Sequence, residues 1–262
     1  MSKNIKALIF DIDGTLFHTQ KNLMPQSAID ALNKLKENGY SLYIATSRCE
    51  GEFNNFEKYL KTLPIDGRIS NGGASIFLGN ENVSNEFISV EDSAKVIQYC
   101  QEHQLTVRYQ TRDVCAFDQI PSKEGADSFV YFYDFIPGVR AWDNEEVVNF
   151  LIFANTDHYE TLLPKLSAVK SIMFKHAFEI TPPTSNKALA ILKLCERIGI
   201  SVDEVACFGD GENDIPMLQE CGIGIAMGNA PDLVKEAADY VTSDVGANGI
   251  WNACCHFGWI KE

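Results

Sequence analysis

The stretch ALIFDIDGTLF, residues 7–17, sets Asp11 and Asp13 with one residue between them at the end of an almost wholly apolar run. Side chains two apart on extended backbone point the same way, so this spacing puts the two carboxylates side by side. Such a pair repels itself, and desolvation adds to the cost until one of the two holds a proton or a positive charge compensates. A divalent cation is the simplest compensation, and an all-oxygen donor set favours magnesium. A second apolar run, EVACFGD, ends in Asp210, which would add a metal carboxylate. Asp214 follows in GDGEND, where it can orient a metal-bound water or a neighbouring lysine. Asp11, Asp13, Asp210 and Asp214 are therefore the candidate metal group.

Other residues suit an anion. Gly14 and Thr15 open a loop whose backbone N–H groups can cradle one, and Gly14 lets the loop turn closely. Thr46 and Ser47 are hydroxyl donors at a strand end that leads to a helix N-terminus. Lys187 falls in the first turn of an expected helix, where the macrodipole disfavours a cation, so its placement points to a partner anion. One metal and one lysine would thus build a phosphate site. Beside a metal-held carboxylate, a phosphoryl group leaves few choices of chemistry. Asp11 can attack phosphorus in line and form an aspartyl-phosphate. Asp13 can give a proton to the leaving alcohol and then take one from the incoming water. Asp-Gly turns also close strands for purely structural reasons. Thr46, Lys187 and Asp210 at matching positions favour the chemical reading.

These residues meet only if the elements bring them together. In open α/β sheets ligands bind beyond the carboxyl ends of the strands, and Asp11, Thr46 and Asp210 each follow directly on an apolar strand. Residues 5–10 read as a strand buried on both faces, and a helix is expected over 25–38, between Pro25 and Gly39. YSLYIAT, an amphipathic helix through Phe53, Phe56 and Leu60, and RISNGGASIF continue a β-α-β-α-β order. The same order returns near the C-terminus, with a helix at 185–198, EVACFGD, a helix through Leu218, IGIAMG, a helix begun by Pro231, DYVT and a terminal helix through Trp251. Between them, SIFLGNENVSNEFI, a helix at 91–103, TVRYQ, VCAFD, VVNFLIFA, a helix at 157–168, KSIMF and AFEIT form strand pairs with separate helices. The fold class is α/β. A doubly wound parallel-sheet core from 1–78 and 183–262 carries an inserted α+β domain at 79–182, hinged at NGGAS and TPPTSN.

Composition narrows the partners. Across 262 residues, 36 acidic against 22 basic side chains give a net charge of −14, which counts against nucleic acid or an anionic membrane. No stretch approaches a membrane span, the start does not read as a signal peptide, and a cytoplasmic location is expected. The 8 cysteines make no C-x-x-C pair and are expected to be reduced, packed thiols. GIGIAMG, residues 222–228, nearly spells a dinucleotide fingerprint, but Ile223, Ile225 and Met227 alternate as a core strand. The aromatic run FVYFYDF, 129–135, reads as packing within the insertion, and Arg108, Arg112 and Arg140 as either polar binders or solvated surface.

DIDGTL, TSR, Lys187 and GDGEND in this order resemble the haloacid dehalogenase superfamily. The inserted block between Thr46 and Lys187, with NGG and AMGNA, is similar to its Cof-type branch with a C2B cap, and the resemblance runs the whole length of the chain. It implies a Rossmann-like core, magnesium and phosphomonoester hydrolysis of small phosphorylated metabolites, sugar phosphates foremost. Carried over by position, Asp11 is the nucleophile and Asp13 the acid/base with its backbone carbonyl also on the metal. Lys187 counts with these catalytic groups and, with Thr46, holds the phosphate. Asp210 binds magnesium with Asp214 and Asn213 in support, while Gly14, Ser47, Arg48, Asn71 and Gly72 complete the substrate side. TSR stands where Thr-Gly-Arg is common and NGG where Asn-Gly-Ala is, so Ser47 narrows the expected pocket slightly. A phosphomutase of the same superfamily and a silent phosphate-ligand binder are the competing readings. The expected partner is a small phosphorylated metabolite, with no nucleic acid or membrane, and the chain a monomer or weak homodimer.

Overall fold

The structure, a computed structural model, describes residues 4–261. In chain order it opens with β1 (Ala7–Phe10), α1 (Gln26–Glu37), β2 (Ser41–Ala45), α2 (Glu57–Leu60), β3 (Gly67–Ser70), β4 (Ser75–Leu78) and β5 (Glu81–Asn85). There follow α3 (Val90–Glu102), β6 (Thr106–Gln110), β7 (Cys115–Phe117), α4 (Lys123–Tyr133), β8 (Gly138–Val139), β9 (Asn149–Phe153), α5 (Thr156–Leu162), β10 (Lys170–Met173) and β11 (Phe178–Thr181). The chain closes with α6 (Lys187–Ile198), β12 (Val205–Gly209), α7 (Ile215–Glu220), β13 (Ile223–Ala226), α8 (Asp232–Glu236), β14 (Tyr240–Val241) and α9 (Gly249–His256).

Two compact units result. The first comprises the chain up to Ser47, Phe56–Val83 and everything from Asn186 on. Its sheet of eight strands runs β14-β13-β12-β1-β2-β3-β4-β5, parallel from β14 to β3 and turned antiparallel at β4. Apolar residues fill β1 without alternation because both faces of a central parallel strand are covered, and all four are buried. α1 buries Ala28, Ala31, Leu32 and Leu35 on one stripe and stops before Gly39, at φ +90°. β13 is the strand expected of GIGIAMG, which removes the dinucleotide alternative. Cys207 on β12 and Cys221 after α7 form a disulfide, where the sequence expectation is of thiols throughout; their 14-residue separation carries no local signal.

The second unit comprises Arg48–Asn55 and Ser84–Ser185, beside the expected insertion at 79–182. β5, grouped at sequence level with the insertion, is instead the edge strand of the eight-stranded sheet and carries the chain from one unit to the other. A six-stranded sheet, β10-β11-β9-β6-β7-β8, forms the second unit's frame. Strand alternation divides its faces. Tyr109, Phe150, Ile152, Phe178 and Ile180 pack with Val96, Ile97 and Leu162 of α3 and α5. Arg108, Asn149 and Glu179 lie on the opposite face. There Arg108 makes 2.6 Å contacts with Glu52 Oε1 and Asn149 Oδ1, and Asn149 donates to Glu179. Phe129 of α4 is buried while Tyr131 is 78% exposed, so only part of the aromatic run serves packing. Among the described residues no helix is long and apolar enough to cross a membrane.

Candidate active site

The parallel register brings chemically capable residues to one edge of the eight-stranded sheet. Phe10 lies beside Phe208 of β12 and Ile44 of β2, so Asp11, Thr46 and Asp210 leave their strands nearly level. Asp11 N–H donates to Phe208 O at 2.9 Å, and Thr46 N–H to Ile69 O at 2.9 Å, which continues the ladder one residue past each strand. Asn186 caps α6 with its side chain, accepting from the N–H groups of Ala188 and Leu189. That cap starts the helix at Lys187, whose side chain is buried.

Lys187 Nζ sits 2.6 Å from Asp11 Oδ1 and 2.6 Å from Asp214 Oδ1. The other Asp214 oxygen accepts from the N–H groups of Asp210 and Gly211, each at 3.0 Å. Asp210 Oδ1 accepts from Thr15 Oγ1 at 2.9 Å, and its Oδ2 from Asn229 Nδ2 at 3.2 Å. Gly14 has φ +84°, and a Cβ there would run into the Asp210 carboxylate, so the glycine answers both conformation and space. Carboxylate oxygens of Asp11, Asp210 and Asp214 lie within 4.8 Å of one another, and Asp13 stands outside that group.

Burial pushes the Asp11 carboxyl well above its ordinary range; Lys187 opposes this, and the charges of Asp214, Asp210 and Asp13 add to it. Burial likewise pushes Asp210 up to about 7, against the Thr15 hydrogen bond that lowers it. Burial would depress Lys187, but the charges of Asp11 and Asp214 outweigh it and hold the ammonium raised. One ammonium thus faces three crowded carboxylates. Such a group of hard oxygen donors, short of positive charge, fits a divalent cation.

Residues 8–254 match the family model of haloacid dehalogenase-like hydrolases. The chain belongs to that family. The subclass IIB sugar phosphatase BT4131 superposes with a TM-score of 0.87 and 32% identity, covering 97% of this chain and all (100%) of that one. The 5-amino-6-(5-phospho-D-ribitylamino)uracil phosphatase YcsE of Bacillus subtilis is 24% identical over 259 residues, 98% of this chain and 96% of the relative. Phosphoglycolate phosphatase of Methanobrevibacter smithii is 26% identical over 257 residues, 95% of this chain and 97% of the relative. The chain is thus a haloacid dehalogenase-type phosphatase of the Cof-type, subclass IIB branch.

In this haloacid dehalogenase-type phosphatase most residues singled out in the sequence lie on the first unit's loops. Ser47 Oγ accepts from Asn213 Nδ2 at 2.9 Å, joining the loop after β2 to GDGEND. Gly72 N–H donates to Thr46 O at 3.0 Å, so the Asn71-Gly72-Gly73 turn abuts the Thr46 loop. Asn71 itself adopts φ +54° and donates to Ser75 Oγ at 3.1 Å. Arg48 is packed with the second unit: it donates to Glu52 O at 3.0 Å and Asn55 Oδ1 at 2.7 Å and stacks 5.4 Å from the Tyr133 ring centroid. Two participants escape residue-level reading, the Thr15 side chain and Asn229. Asn229 lies on the loop that follows apolar β13, three residues past Ala226, and that loop position is the available signal.

Proposed function

We propose that the chain is a magnesium-dependent phosphomonoesterase of small phosphorylated metabolites, sugar phosphates foremost, working through an aspartyl-phosphate on Asp11. The observation that carries this reading is the buried contact of Lys187 with both Asp11 and Asp214, beside Asp210. Magnesium would be held by the Asp11 and Asp210 carboxylates and the Asp13 backbone carbonyl, with support from Asp214, and when bound it supplies positive charge against the transferring phosphoryl group. Lys187 adds to that charge and holds Asp11 oriented for in-line attack. Thr46, Ser47, Asn213 and the Gly14 backbone are assigned to the phosphate, and Arg48, Asn71 and Gly72 to the substrate side. Asp13, outside the carboxylate group and half-buried, is assigned the proton that the leaving alkoxide requires. The sugar phosphatase among the similar structures and the phosphoribityl and phosphoglycolate enzymes among the relatives support a small phosphorylated substrate.

A panel of phosphorylated metabolites, assayed for phosphate release with magnesium and with chelator, tests the proposal. Release from one or a few sugar phosphates, dependent on magnesium, is the expected result. Isomer formation with total ester phosphate conserved would replace it with a mutase, and binding without turnover across the panel would replace it with a silent binder.

A further inference from the structure

Asn229 makes three hydrogen bonds with one planar amide. Its Nδ2 donates to Gly14 O at 2.9 Å and to Asp210 Oδ2 at 3.2 Å, while its Oδ1 accepts the Val245 N–H at 2.9 Å. The Val245 bond sets the orientation. A backbone N–H can only donate, so the amide oxygen must face Val245 and the NH₂ group must face Gly14 and Asp210. One side chain therefore ties together the loop after β1, which carries Asp11 and Asp13, the loop after β12, which carries Asp210 and Asp214, and the segment at Val245 that leads to α9.

Packing does not explain this residue. Asn229 is exposed and, with Gly14, His18, Lys21 and Asp244, lines an open cavity of about 480 Å³. It fills no core volume, and its three hydrogen bonds hold its side chain in place. The two groups it grips are themselves in close approach, because any Cβ on Gly14 would collide with the Asp210 carboxylate. Asn229 is the side chain that bonds both groups. Thr15 holds the other Asp210 oxygen at 2.9 Å, which leaves the carboxylate fixed from both sides. The chemistry also selects asparagine. Aspartate would keep the shape, lose both donors and add a carboxylate to an already crowded group.

We propose that Asn229 is a positioning residue for the divalent cation, fixing Asp210 and the Gly14 peptide in the arrangement that accepts the metal. This rests on the magnesium reading above. Partners that orient a metal-binding carboxylate typically carry about 10–100-fold of metal affinity.

Calorimetric titration of the full chain with magnesium alone, for wild type and Asn229→Ala, tests it, with thermal unfolding in chelator run alongside. Magnesium binding about 10–100-fold weaker in Asn229→Ala, with an unchanged Tm in chelator, is expected, and half-maximal phosphate release should shift to higher magnesium by the same factor. Equal affinity in the two proteins overturns the inference. So does a lowered Tm with affinity unchanged, which would make Asn229 a loop brace only. A wild-type protein that binds no magnesium overturns the magnesium reading instead. Asn229→Gln, which keeps the amide one methylene further out, supplies the same comparison where the alanine variant does not fold.

Discussion

Asp11 and Asp13 are two residues apart and have different surroundings. Asp11 is 6% exposed and paired with Lys187, whereas Asp13 is half-buried and outside the carboxylate group. That difference is what the proposed roles rest on, Asp11 as the attacking group and Asp13 as the proton carrier. Asp11→Asn is expected to abolish phosphate release and to weaken magnesium binding without eliminating it, as read by a phosphate assay and calorimetry. Turnover near the wild-type rate would remove Asp11 from its role. Asp13→Ala should slow a sugar phosphate by about 10²–10⁴-fold. The loss on an activated aryl phosphate should be much smaller, since that leaving group needs no proton. Equal losses on the two substrates would contradict the acid assignment. Gly14→Ala combines a positive φ with a collision against Asp210, so magnesium affinity should collapse even where the variant folds.

At the scale of elements, α6 places Lys187 against Asp11 and Asp214, and its start is set by neighbours as much as by its own sequence. Gly73, at φ +108°, lies against the Asn186 backbone so closely that a Cβ would sit 2.5 Å from the Asn186 carbonyl. Backbone cannot yield as a flexible side chain can. Gly73→Ala should displace the first turn of α6, lower the Tm and raise KM for the phosphate ester; a variant with both values unchanged would show that the turn and helix are independent. The segment before α2 illustrates where periodicity misleads. Phe53, Phe56 and Leu60 predict a helix throughout, yet only Glu57–Leu60 is α-helical. Glu52 is drawn instead to Arg108, 56 residues away, in an ion pair with both side chains almost wholly buried. Such a bond satisfies two charges at once, and no local pattern announces it. Arg108→Met leaves Glu52 buried without its partner and should cost about 3–5 kcal/mol in urea denaturation. Adding Glu52→Gln should recover much of that loss, and strict additivity of the two changes would contradict the pairing.

At the scale of the whole molecule, the −14 net charge coexists with buried acids whose protonation couples to stability. Burial pushes Glu179 up to about 7, and Glu52 adds to this; the Asn149 hydrogen bond, Arg108 and Lys170 oppose it. An unfolded glutamate titrates near about 4.3. Between those values the folded chain keeps a proton that the unfolded chain releases, so the stability this group contributes is present at low pH and is lost as pH rises toward 7. Glu179→Gln, neutral throughout, should match wild type near pH 4 and become relatively more stable by at most about 1.4 kcal/mol per pH unit up to pH 7. A pH-independent difference between the two would show that Glu179 is ionised throughout. By itself the sequence determined the α/β class, the strands that end in Asp11, Thr46 and Asp210, and the family. Apolar runs, helix stops and motif spacing are local and can be read along the chain. Tertiary structure decided the rest: Lys187 between Asp11 and Asp214, Thr15 and Asn229 on Asp210, Arg108 on Glu52, and β5 at the edge of the first unit's sheet. Thr15 and Asp210 stand 195 residues apart and Lys187 and Asp11 176, and contacts at such separations are set by which strands pair and in what register, which no local pattern encodes.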